Sequence, residues 1–107
     1  MYTEWAERFR VLGDVTRLRI LSLLTVRDAC VCEIVALLPI SQPAVSQHLR
    51  KLRQAGLVEE YRQKSWKFYR LRSDMPASVA DWIRDLNVED SDATWLNTHQ
   101  VGMLCDG

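Results

Sequence analysis

The sequence predicts a mainly α-helical domain with one small β-hairpin, arranged as a winged helix-turn-helix. Three observations carry that reading. Apolar residues recur at helical spacing in several short segments. A short helix ending at Pro39 is followed by a serine-capped helix that opens at Ser41. Two short alternating segments then flank Gln63-Lys64-Ser65, the pattern of a hairpin.

The elements follow in order. Trp5, Phe9 and Leu12 mark a first helix over 3–12, stopped by Gly13. Asp14 caps a second helix whose inner face is Val15, Leu18, Leu21 and Leu24. Residues 26–29 form a connection, and a third helix runs from Cys30 or Val31 to Leu38. Ser41 caps a fourth helix through residue 55, with Pro43 in its first turn, where a missing N–H costs little. Val45, Leu49 and Leu52 form its apolar stripe, and Gly56 ends it. Leu57–Arg62 and Trp66–Leu71 are the hairpin strands; without Asn-Gly the turn type stays open. A fifth helix covers Pro76–Leu86, with Val79, Trp82, Ile83 and Leu86 on one face. Residues 1–88 are thus expected to form one winged helix-turn-helix domain. Residues 89–107 form an acidic, then apolar tail, open between a further helical turn and a mobile arm.

Composition narrows the function. At 107 residues the chain is one domain's worth, too short for a multi-step enzyme with a cofactor domain. No apolar run is long enough to span a bilayer and no signal pattern opens the chain, so a cytoplasmic protein without a membrane partner is expected. Net charge is zero, but its distribution is not flat. Residues 41–72 carry eight basic and two acidic side chains, net +6; residues 73–107 carry one and seven, net −6. Phosphate binding needs a local positive face, and the middle block supplies one.

The N-terminal half of a recognition helix presents side chains to base edges in the major groove. Here those are Gln42, Ser46, Gln47 and Arg50, with Ser41 at the cap. Arg62, Lys64 and Lys67 sit at the hairpin, placed to follow the DNA backbone. His48 is a further candidate, divided between DNA and helix packing. Trp66 and Tyr69 are expected to pack under the wing.

At these residues the chain resembles a known family. Residues 12–21, LGDVTRLRIL, resemble the opening LGDPTRLRIL pattern of the ArsR/SmtB-type metalloregulatory repressors. Residues 41–57 resemble their recognition helix, and 66–71 their second wing strand. The likeness covers roughly residues 5–86, with Val15 standing where the family often has proline. It implies a homodimer, built mainly from the first and last helices, that binds double-stranded operator DNA at an imperfect inverted repeat.

Cys30-Val-Cys32 is the candidate sensor. A helix N-terminus favours thiolate, the form that binds soft ions. Residues 29–34, ACVCEI, also resemble the CVCD(L/I) site of the family's arsenic, antimony, cadmium and lead branches. No obligatory cofactor is implied. The resemblance implies an inducer, arsenic(III) or antimony(III), with cadmium(II) or lead(II) as further candidates. The arsenic branch often carries a third cysteine where this chain has Val35, so Cys105 is the candidate third ligand. On an ideal helix residues i and i+2 lie about 200° apart, so closing both sulfurs on one ion is expected to unwind the first turn. That would disfavour the DNA-bound state.

Other classes remain in view. No nucleophile–base pair, Gly-rich phosphate loop or His-rich site supports an enzyme. A thiol-redox switch would use the same cysteines. Asp81 and Asp85 lack a nearby histidine and are read as a solvated face.

Overall fold

Each of the two helices that open on a capping side chain does so as its sequence requires. Asp14 accepts a hydrogen bond from the Arg17 backbone N–H at 3.0 Å, and Ser41 Oγ accepts one from Ala44 N–H at 3.3 Å. The computed structural model describes residues 1–99. In chain order the elements are α1 (Tyr2–Leu12), α2 (Val15–Val26), β1 (Ala29–Cys30), α3 (Val31–Leu37), α4 (Gln42–Gln54), β2 (Val58–Gln63), β3 (Trp66–Leu71), α5 (Ala77–Arg84) and α6 (Asp90–Thr98). The three strands form one antiparallel sheet in the order β1-β3-β2. With α3 and α4 packed together and the hairpin beside them, this is a winged helix-turn-helix.

The core is centred on α2. Its residues from Ile20 to Leu24 are all buried, as in a helix covered on every side. α1, α4, α5, α6 and β3 all pack against it. One expectation is corrected: Val15, assigned to the inner face, is 83% exposed, while Thr16, Arg17 and Leu18 beside it are half-buried and burial is complete only from Ile20. Further along, Leu21 and Leu24 are buried as expected.

α4 buries Val45, Leu49 and Leu52 and ends where Gly56 takes φ +77°, a left-handed conformation that glycine adopts without a Cβ clash. In the hairpin, Gln63 pairs with Trp66, leaving Lys64 and Ser65 as a two-residue turn. Lys64 has φ +62° and Ser65 does not share it, the pattern of a type II′ turn.

Two elements were not legible as such. Residues 29–30 lie in β1, not in a plain connection, with Ala29 opposite Tyr69 and Cys30 opposite Phe68. Residues 90–98 form α6, and its Leu96 lies in the same hydrophobic core as α2. Arg19 holds α6 in place, its Nε and Nη2 donating to the two Asp92 oxygens at 3.0 and 2.9 Å. The first part of the supposed tail is therefore packed onto the body. Among the described residues no helix is long and apolar enough to cross a membrane.

Candidate nucleic-acid interface and thiol site

One face of α4 is committed to the core, and the opposite face is polar. Ser41, Gln42, Gln47 and Arg50 are exposed and Ser46 is half-buried. Gln42, Ser46, Arg50 and Arg53 recur at helical spacing down the side of α4 that meets the wing. Between them and the sheet lies a cleft of about 320 Å³, closed on the wing side by Glu60, Lys67 and Tyr69.

The wing places Arg62, Lys64 and Lys67 in solvent. Arg62 and Lys67 are register partners on adjacent strands. Like charges directly opposite one another disfavour a sheet. A polyanion laid across them would remove that penalty.

His48 lies apart from this set. It is half-buried, and its Nδ1 accepts from Arg17 Nε at 3.2 Å, so α4 and α2 are tied there from the protein side. Trp66 is half-buried and Tyr69 buried, as expected of residues packed under a wing.

The thiol pair differs from its expected geometry. Cys30 is the N-cap of α3, in extended backbone with φ −92° and ψ 167°, while Cys32 is the second residue of the helix. The two are therefore not i and i+2 on a regular helix, and helical geometry does not force their sulfurs apart. Cys30 is buried and Cys32 half-buried. Both are disulfide-bonded, so the reduced pair is the form that would hold a soft ion.

A buried ion pair braces this junction. Glu33 is fully buried and its Oε1 accepts the Cys30 backbone N–H at 3.1 Å. Arg27 Nη2 meets Glu33 Oε2 at 2.9 Å, Arg27 Nη1 donates to the Asp28 carbonyl at 2.7 Å, and Arg27 Nε donates to the Leu96 carbonyl of α6 at 3.0 Å. Both Glu33 oxygens are thus engaged by donors of the protein itself. Among the described residues no group of three or more His, Cys, Asp or Glu side chains is placed to hold a metal ion. Cys105, the expected third ligand, lies outside the described residues.

Sequence reasoning missed Glu33 and Arg27. The signal was present: Cys30 and Glu33 have N-cap and N3 spacing, the capping-box arrangement. It also missed Glu60, which no local pattern marks.

On another surface, Trp5, Phe9 and Trp82 form an aromatic cluster, with ring centroids 5.8 Å apart for Trp5–Phe9 and for Phe9–Trp82, and 6.4 Å for Trp5–Trp82. Phe9 and Trp82 remain 54% and 44% exposed. An apolar groove lined by Leu12, Leu18 and Leu86 continues from them. Asp81 pairs only with Arg84 in the open, consistent with a solvated face.

The chain is similar to known proteins in sequence and in fold. Residues 14–60 match the family model described as bacterial regulatory protein, arsR family. The chain is 38% identical over 91 residues to the arsenic resistance transcriptional regulator ArsR1 of Pseudomonas putida, covering 83% of this chain and 69% of that one. It is 42% identical over 76 residues to the arsenical resistance operon repressor of Escherichia coli, covering 70% and 65%. Among solved structures, HlyU from Vibrio cholerae superposes with a TM-score of 0.69 at 32% identity, covering 79% of this chain and 89% of that one.

Proposed function

Since the chain belongs to the ArsR family of bacterial regulatory proteins and is a DNA-binding transcriptional repressor, not an enzyme, we propose that it holds operator DNA as a homodimer and releases it when trivalent arsenic or antimony binds the Cys30 and Cys32 thiolates. Cys105 is the third donor in this reading. One observation carries it: the thiol turn and the DNA-facing cleft share a residue. Val31, between the two cysteines, lines the cleft that Gln42, Ser46 and Arg50 also line.

The mechanism follows from that adjacency. Cys30 sits in β1, hydrogen-bonded into the wing's sheet, and Cys32 sits in α3, packed on α4. An ion held by both sulfurs fixes the distance between them, and so shifts a strand of the wing against the helix that supports the recognition helix. The spacing between wing and α4 sets the fit to DNA. A difference of a few kcal/mol between the two arrangements is enough to empty the operator.

Ser41, Gln42, Ser46, Gln47 and Arg50 face the major groove in this reading, and Arg62, Lys64 and Lys67 follow the phosphates. The aromatic surface of Trp5, Phe9 and Trp82 joins α1 and α5 to the second copy, which supplies the two-fold symmetry an inverted repeat requires. The names of the two relatives above, both for arsenic resistance, support arsenic as the inducer. Cadmium(II) and lead(II) are the alternative inducers to test.

A thiol-redox switch is the second reading, favoured by the disulfide-bonded state of both cysteines. Titration separates the two. Fully reduced protein should develop thiolate–arsenic absorbance with arsenite, stoichiometrically, and lose it in Cys30→Ser and Cys32→Ser. No response to arsenite but a stoichiometric one to cadmium or lead would move the inducer. Release of DNA by peroxide alone would replace the metalloid reading with the redox one.

A further inference from the structure

The cleft between α4 and the wing holds a carboxylate among its cations. Glu60 Oε1 lies 2.8 Å from Arg53 Nη1, and the Tyr69 hydroxyl donates to Glu60 Oε2 at 3.1 Å. The two oxygens are therefore held from two sides, one by the wing's own β3 and one by the last turn of α4. Tyr69 is buried, which fixes its end of the arrangement. Glu60 and Arg53 are both part-exposed, so the pair can open. Arg53 lies one helical turn beyond Arg50 and lines the same cleft.

A carboxylate facing a polyanion is unfavourable, and here it also occupies a guanidinium that a phosphate would otherwise take. We propose that Glu60 is a built-in competitor for DNA: it holds Arg53 in the free protein, and a phosphate entering the cleft must take Arg53 from it. The exchange keeps affinity below what the cationic cleft could reach, within the range that a small conformational change reverses. This inference rests on the DNA-facing assignment of the cleft, but not on the identity of any inducer.

A double-mutant cycle tests it, with fluorescence anisotropy of a fluorescein-labelled duplex from the chain's own promoter at several salt concentrations. Wild type, Glu60→Gln, Arg53→Ala and the double variant are compared, each checked for folding by thermal unfolding. Glu60→Ala serves as a second variant with the same expectation. Glu60→Gln should bind about three- to ten-fold more tightly than wild type. Its salt dependence should steepen by up to about 0.9 in the log–log slope, one more phosphate contact. In the Arg53→Ala background the same change should shift affinity by less than about two-fold. Unchanged affinity in Glu60→Gln overturns the proposal. So does a gain that persists without Arg53, since Glu60 would then act by direct repulsion. No binding by any of the four proteins overturns the DNA-facing assignment and this inference with it.

Discussion

Cys30 and Phe68 are register partners across β1 and β3, so the first thiol of the Cys30–Cys32 pair is a residue of the wing's own sheet. Phe68 is buried and stacks on Tyr61, at 5.7 Å between ring centroids. The Tyr61 hydroxyl in turn donates to Asp28 Oδ2 at 2.6 Å, two residues before Cys30. The wing therefore grips the thiol segment twice, by its backbone ladder and by Tyr61. A displacement at Cys30 reaches the wing strands without passing through α4.

Tyr61 gives the first prediction. Burial, then the bond to Asp28, push its hydroxyl up to about 12. The folded state favours the neutral phenol, so its stabilisation is complete below the unfolded tyrosine value near 10 and is lost as pH rises through about 12. A difference-absorbance titration should show a late-ionising tyrosine that Tyr61→Phe removes. Tyr61 ionising with the unfolded reference would contradict its part-buried bond to Asp28.

The bond from Arg19 to Asp92 fastens α6 to α2. Asp92 is buried, and its hydrogen bonds to Arg19 hold that guanidinium above the usual arginine range. Asp92→Ala leaves Arg19 without its carboxylate and should lower the unfolding free energy by about 3 kcal/mol, the low end for a broken buried pair because Arg19 is partly exposed. Urea denaturation measures it. A loss under about 0.5 kcal/mol, the scale of an ordinary surface substitution, would mean that α6 is not anchored there.

Asp14 caps α2, and the hydrogen bond from the Arg17 backbone holds its carboxyl below the usual range. Asp14→Ala should cost about 1 kcal/mol at neutral pH. A depressed carboxylate stabilises above its unfolded value, near 3.9, and stops doing so as pH falls through the folded one. The deficit of the variant should therefore shrink in acid, read from paired denaturation curves at neutral and acid pH. A deficit independent of pH would assign it to something other than the cap.

Arg62 and Lys67 predict effects of opposite sign. Replacing Arg62 with Thr removes like charges in register and should raise stability by a few tenths of a kcal/mol. The same change should weaken DNA binding and reduce its log–log salt slope by about 0.9. Thermal unfolding and anisotropy read the two separately; a variant less stable than wild type would contradict the in-register repulsion.

The legible parts of the fold were those with local chemistry. Asp14, Ser41, Pro43 and Gly56 each do at a helix end what their side chains or φ preferences dictate. β1 was illegible because two residues carry no period, and only the partner strand 38 or more positions later defines them. α6 was ambiguous because its acidic residues look like a solvated arm until Arg19, 73 positions away, is seen to hold Asp92. The thiol pair was legible as chemistry but not as geometry: its spacing reads as helix, whereas Cys30 stands outside the helix as its cap. Glu60 could not be found from sequence, since its meaning comes from Arg53 across the cleft.

The most direct measurement is fluorescence anisotropy of labelled promoter duplex bound to fully reduced protein while arsenite is added. The account predicts release at low inducer concentration, abolished in Cys30→Ser and Cys32→Ser, with DNA binding itself intact in both variants. Tight binding that ignores arsenite, or release that persists without either thiol, would contradict it.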